Sequence, residues 1–232
     1  MRMRKKKHSH ERLAACKEYL FNTDELIEPL TDPAAAIGMT GGRVFLEIGA
    51  GKGGFACAMA ERHSDAAYFA MERVTDCVVL CVERAASGEW GELKNLRFLI
   101  DNADDLLRIF APESVDAIFL NFSDPWPKKG YAKRRLTHRD YLAAYMNLLK
   151  NGGTLRFKTD NVGLFDFSLE EIEAIGLTPA ILTRDLHASE WNGDNIMTEY
   201  EKSFCEQGMK INMLEVKKPE GFRPQVAARF LD

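Results

Sequence analysis

The chain has 232 residues, with 31 Lys and Arg against 35 Asp and Glu and a formal net charge of -4. Apolar residues make up 46% and charged residues 28%, an ordinary globular composition that excludes a collagen-like, coiled-coil or wholly disordered chain. A mildly acidic total argues against a nucleic-acid partner unless the basic residues are clustered.

They are clustered. Residues 1–12, MRMRKKKHSHER, hold six basic residues and one acidic one. They predict a flexible basic arm, exposed to solvent or to nucleic acid. Residues 13–36 are loosely helical, broken by Pro29 and Pro33. Strands are then predicted over 43–48, 67–71, 96–100, 115–120 and 154–158. Helices are predicted over 55–63, 75–86, 104–110, 138–149 and 169–174. Two final strands, 178–185 and 198–206, are expected to pair as an antiparallel hairpin. Strand–helix alternation predicts an α/β fold, a mostly parallel sheet with helices on both faces. Apolar runs such as VDAIFL at 115–120 fit strands buried on both sides. One domain over 13–217 is expected, and the tail 218–232 reads as a peripheral extension.

The five cysteines are odd in number and contain no C-x-x-C pair. A disulfide framework or structural zinc site is not expected, and a reducing, cytoplasmic location fits. Cys77 and Cys81 read as small buried apolar residues rather than a metal pair, so no metal is expected. No run reaches the ~18 apolar residues of a membrane span. The basic N-terminus lacks the apolar core of a secretory signal.

Two motifs carry chemistry. The first, LEIGAGKGGF at 46–55, ends the first strand and opens a helix. Its glycines, Gly49 and Gly51 among them, allow a tight turn and close approach of a ligand to the backbone. Gly49, Gly51 and Gly54 also satisfy G-x-G-x-x-G, so a dinucleotide must be weighed. Glu72, ending the second strand, suits ribose hydroxyls of either cofactor. Glu47 discriminates between them. A carboxylate directly before the loop repels a pyrophosphate and attracts the cationic amino acid and sulfonium of S-adenosylmethionine. Asn102, after the third strand, is placed to bond an adenine edge or to cap a turn.

The second motif is NFSDPWPKK at 121–129, at the carboxyl edge of the fourth strand. Pro125 and Pro127 bias Asp124 and Trp126 towards extended backbone, giving a stiff segment that presents an acid and an aromatic ring. Lys128, Lys129, Lys133, Arg134, Arg135 and Arg139 follow with no acid among them, a cationic run beside the sheet edge suited to phosphates.

These residues resemble the bacterial tRNA (guanine-N7-)-methyltransferases of the TrmB type. The markers are LEIGAGKG at 46–53, Glu72, NFSDPWPKK at 121–129, KRRL at 133–136, FKTDN at 157–161 and TEYE at 198–201. The glycine loop is generic to class I methyltransferases; the DPWPKK block followed by KRRL is specific. The resemblance implies a seven-stranded, Rossmann-like class I fold with a terminal antiparallel hairpin. It implies methyl transfer from S-adenosylmethionine, leaving S-adenosylhomocysteine, to guanine N7 at the conventional position 46 of the tRNA variable loop. By position, Glu47, Glu72, Asn102 and Asp124 would contact the donor, with Asp124 also the active-site acid. Lys128, Lys133, Arg134 and Arg135 would hold tRNA. Asp160, Thr198, Glu199, Tyr200 and Glu201 would line the guanine pocket. The chain departs from the family in having Asn102 for Asp, Glu199 for a basic residue, and less charge at Gly130 and Tyr131. No obligatory protein partner is implied, and either a monomer or a homodimer is compatible.

Guanine N7 already carries an in-plane lone pair, so no strong general base is needed. An ionised Asp124 would stabilise the positive charge that methylation puts on the purine. The rivals are another class I N-methyltransferase, a tRNA-binding module with a vestigial cofactor site, and a nicotinamide dehydrogenase, the last disfavoured by Glu47.

Overall fold

The computed structural model describes residues 6–231. Seven strands form one sheet: β1 (Val44–Ile48), β2 (Ala67–Met71), β3 (Leu96–Leu99), β4 (Val115–Asn121), β5 (Leu149–Thr159), β6 (Ile181–Thr183) and β7 (Asn212–Lys217). Their spatial order is β3-β2-β1-β4-β5-β7-β6. The first five strands pair in parallel, and β7 lies antiparallel between β5 and β6.

Helices flank both faces. They are α1 (Ser9–Ala15), α2 (Pro33–Ala36), α3 (Gly54–Arg62), α4 (Thr75–Ala86), α5 (Leu106–Ile109), α6 (Arg139–Leu148), α7 (Val162–Ala174) and α8 (Glu199–Glu206). Strand pleating sends alternate residues to opposite cores. Leu46, Phe69, Ile118 and Phe157 pack with Leu142, Tyr145 and Phe165 on one face. Phe45, Tyr68 and Phe98 pack with Phe55, Val78 and Val82 on the other. Burial on both sides explains the near-continuous apolar strand sequences.

The expected hairpin needs correction. An antiparallel pair is present, but residues 199–206 are the helix α8, capped by Thr198, and the strand beside β6 is β7. Thr198 and Glu201 form a capping box: the Thr198 side chain accepts from the Glu201 N–H, and the Glu201 side chain from the Thr198 N–H. That signal sits in the sequence as T-x-x-E, a helix start. Tyr200 and Phe204, four residues apart, then pack with their rings tilted and centroids at 6.3 Å. The helix expected at 169–174 is the longer α7, started by the Asn161 side chain, which accepts from Leu164 N at 2.8 Å.

Residues 1–5 of the expected basic arm lie outside the described residues. Ser9–Arg12 belong to α1, which Arg12 ties to α4 through two 2.6 Å bonds to Glu83. In the tail, Phe230 is buried and Phe222 and Val226 pack against the core. Among the described residues no helix is long and apolar enough to cross a membrane.

Candidate active site

The strand order reverses between β1 and β4, so the loops leaving them diverge and open a crevice at the carboxyl edge. Both sequence motifs fall there. Gly49 and Gly51 have φ of +86° and +57°, and a Cβ on either would point into open space. The backbone there is accessible to a ligand in a way that a side chain would obstruct. Glu72 secures this loop from the end of β2. Its carboxylate accepts from Gly51 N at 3.1 Å and from Val74 N at 2.9 Å. Each oxygen keeps lone pairs for further donors.

Glu47 lies under the loop and is only 2% exposed. Its Oε1 accepts one bond, from Asn121 Nδ2 at 3.1 Å. Its Oε2 is buried with no partner. The Tyr68 hydroxyl lies near enough to influence its ionisation but outside hydrogen-bond geometry. Burial pushes the Glu47 pKa up to about 8, against smaller opposing effects of Asn121 and Lys158. A carboxyl group with an orphaned buried oxygen is a costly feature in an otherwise satisfied core, and it marks a place where a cation would be welcome.

Asp124 is exposed on the loop after β4. The loop is rooted by Phe122 N, which donates to Lys158 O at 2.9 Å. It is braced by Arg135, which donates to Pro125 O and Trp126 O, both at 3.0 Å. Pro127 predicts an extended Trp126, and the structure corrects this: Trp126 has a φ of +40°, and Phe122 one of +53°. Two bulky residues on the left-handed side are strained backbone, held by these bonds. Trp126 packs edge-on to Tyr131 at 5.8 Å, and the Arg134 guanidinium covers both rings at 5.1 and 4.8 Å. Arg135 is therefore committed to the loop's main chain. Arg134, Lys128 and Lys133 remain exposed along its outer side.

Asp160 follows β5 and is half-buried beside this crevice. The start of α8 forms the facing wall. Glu201 is fully buried, and its carboxylate accepts from Lys158 Nζ at 2.7 Å, Asn195 Nδ2 at 2.6 Å and Thr198 N at 3.3 Å. His187 Nε2 lies 3.1 Å from it, out of line for a hydrogen bond. Glu199 is exposed and pairs with Arg84 of α4 and, at 3.6 Å, with Lys52 of the glycine loop. Tyr200 is 62% exposed. Asn102 is exposed after β3, its Nδ2 3.3 Å from Asp104.

The structure thus brings Glu47, Gly49, Gly51, Glu72, Asp124, Asp160 and the 198–201 turn to one edge of the sheet. Asn102 stands further along that edge. Three further contributors, Asn121, Lys158 and Arg84, have roles that the sequence does not assign. A lysine inside the buried run Phe157-Lys158-Thr159 is itself a signal, because a buried ammonium requires a partner. Among the described residues no group of three or more His, Cys, Asp or Glu is arranged to hold a metal ion.

A family model described as a putative methyltransferase matches residues 42–214. The tRNA (guanine-N(7)-)-methyltransferase of Halalkalibacterium halodurans is 43% identical over 174 residues, covering 75% of this chain and 77% of that protein. Among solved structures, an antibiotic-related methyltransferase matches with a TM-score of 0.59 at 18% identity, over 85% of this chain and 98% of its own. The 16S rRNA methyltransferase KamB matches with a TM-score of 0.58 at 13% identity, over 76% and 88%. At those identities the structural likeness shows the fold alone, a Rossmann-like methyltransferase sheet. Together with the crevice at the β1–β4 switch, the sequence relationship places the chain in the tRNA (guanine-N7-)-methyltransferase family of class I methyltransferases.

Proposed function

We propose that this protein transfers the methyl group of S-adenosylmethionine to N7 of a guanine in the tRNA variable loop. The observation that carries this reading is the position of Asp124, exposed at the switch point between a glycine loop underlain by a buried acid with one orphaned oxygen and an outer ridge of exposed cations.

The residues fit the methyl donor. The orphaned Glu47 oxygen suits its cationic amino-acid end, the open backbone at Gly49 and Gly51 suits close approach, and the free lone pairs of Glu72 suit ribose hydroxyls. Asn102 would meet the adenine edge. When bound, the donor supplies an electrophilic methyl carbon on a sulfonium. Asp124 would stand beside both donor and base. Its role is electrostatic: guanine N7 attacks with its own lone pair, and the carboxylate stabilises the cation that develops on the purine. Alignment supplies the rest of the acceleration.

Lys128, Lys133 and Arg134 would hold tRNA phosphates. Arg135 would act through the loop it braces. Asp160 has room to accept from guanine N1–H and its 2-amino group. Glu201 has its oxygens engaged by the protein, so it shapes the pocket with Thr198 while Tyr200 offers a ring at its rim. Glu199, paired with two cations, would tie that wall to the glycine loop.

The test is to incubate the protein with unmodified tRNA and labelled S-adenosylmethionine, digest the product and identify the nucleoside. N7-methylguanosine in the variable loop is expected. A different modified base, or none, overturns the reading.

A further inference from the structure

Lys158 stands between the two halves of the crevice. It is 2% exposed and lies opposite Asn121 in the β4–β5 register. Its carbonyl accepts from Phe122 N at 2.9 Å, at the root of the Asp124 loop. Its ammonium donates to Asn195 Oδ1 at 2.9 Å, Ile196 O at 3.0 Å and Glu201 Oε2 at 2.7 Å, and lies 5.2 Å from the centre of the Phe55 ring. The same charge lowers the pKa of Glu47. One buried cation therefore serves two buried carboxylates. Glu201 is bonded to it directly, while Glu47 feels it only through space.

We propose that Lys158 is a positioning residue shared by the two ligand sites: its ammonium pins the 195–201 wall of the base pocket, and its place opposite Asn121, the residue that bonds Glu47, carries that charge to the acid under the glycine loop. This rests on the methyltransferase reading above. The groups around Glu47 are Tyr68 and Glu72 from β2 and its end, Cys57 of α3, Cys81 of α4, Asn121 of β4 and Lys158 of β5. Lys158 is the cation that acts on Glu47 from among them. Around Lys158 the charged neighbours are Glu201, Glu47 and Arg156. A donor whose amino-acid end is cationic binds best once Glu47 is ionised, so its affinity rises with pH until Glu47 has titrated.

Lys158→Met and Glu201→Gln both break the same ion pair. The first removes the cation from Glu47. The second removes the anion that offsets it. Affinity for S-adenosylhomocysteine is measured by calorimetry between pH 6 and 9, and the KM for tRNA is measured at fixed pH. Wild type is expected to show a rising limb. Lys158→Met moves its midpoint to higher pH, and binding at pH 7 weakens about tenfold each time the midpoint climbs by one on the pH scale. Glu201→Gln moves the midpoint down where the ammonium stays charged, and up where the loss of its carboxylate partner neutralises it. Both raise the KM for tRNA severalfold, because the wall loses its pin.

Unmoved midpoints in both variants overturn the charge coupling. An unchanged KM for tRNA in both overturns the pinning. Removing the lysine leaves Glu201 buried and uncompensated, which can prevent folding. In that case the nearly isosteric Glu201→Gln variant decides alone: a midpoint that moves supports the coupling, because the ammonium is then either unmasked or neutralised, and an unmoved midpoint overturns it. Failure of wild type to bind S-adenosylhomocysteine at any pH overturns the methyl-donor reading itself. Binding with unmoved midpoints overturns only the role of Lys158.

Discussion

Asn121 donates to the Glu47 carboxylate at 3.1 Å, and that bond crosses the point where the sheet reverses its order. It joins the first residue of the Asp124 motif to the acid beneath the glycine loop. The two motifs lie more than seventy residues apart in the chain, and this contact makes them one site.

Glu47 should cost the donor-free protein stability as pH rises. Its pKa is raised from the ordinary 4.5 to about 8, first by burial. A raised acid contributes its full stabilisation below the unfolded value and loses it between pH 4.5 and about 8, as the folded protein resists ionising it. The loss is on the order of 3 kcal/mol at pH 7. Glu47→Gln should therefore raise the unfolding free energy at pH 7–8 and leave it nearly unchanged at pH 4, while donor affinity falls at least tenfold. Denaturant melts at the two pH values check the first half and calorimetry the second.

Asp124→Ala should lower kcat by ~10²–10³ with tRNA affinity retained, since the side chain is exposed and touches no structural partner. Nucleoside analysis and filter binding measure the two quantities. Wild-type turnover would remove Asp124 from the mechanism.

Arg134 and Arg135 are adjacent in sequence but should fail differently. Arg134→Ala should weaken tRNA binding and reduce its salt slope by about one, as for a lost phosphate contact. Arg135→Ala removes the brace on Pro125 and Trp126, so it should lower kcat with the salt slope unchanged. Binding isotherms across a salt series separate the two.

Glu199→Ala should change stability by less than about 1 kcal/mol, because its pairs are exposed. It should strengthen tRNA binding roughly two- to fivefold by freeing Lys52 and Arg84 for phosphates. Weaker binding would instead assign Glu199 a direct contact with substrate.

Thr198→Ala removes one arm of the capping box and should destabilise by about 1 kcal/mol, read from the midpoint of chemical unfolding.

Much of the sheet is legible directly in the sequence. The runs around Val44, Ala67, Leu96 and Val115 are short, apolar and bounded by glycine, proline or polar residues, which leaves little choice but a buried parallel strand. The glycine loop and the Asp124 motif are equally plain, because glycine and proline restrict the backbone locally. The placement of Glu47, Glu72 and Asp124 on one edge follows from strand polarity alone.

The end of the chain is different. Residues 198–206 are expected as a strand, yet the Thr198–Glu201 capping box and the four-residue spacing of Tyr200 and Phe204 make them helical, and Asn212–Lys217 takes the place in the sheet. What local pattern does not supply is the replacement strand, because that depends on which segment can pair with Leu155 and Phe157 of β5. Nor can it foresee that Arg135 serves the loop's main chain while Arg134 faces outward, or that Lys158 lies between two carboxylates. A charge written in sequence has no environment. Burial, orientation and the count of competing partners exist only once the strands are registered. The sequence by itself determined the class of fold and the sheet edge where both motifs fall; only the tertiary structure decided which charges on that edge are exposed and which are already engaged.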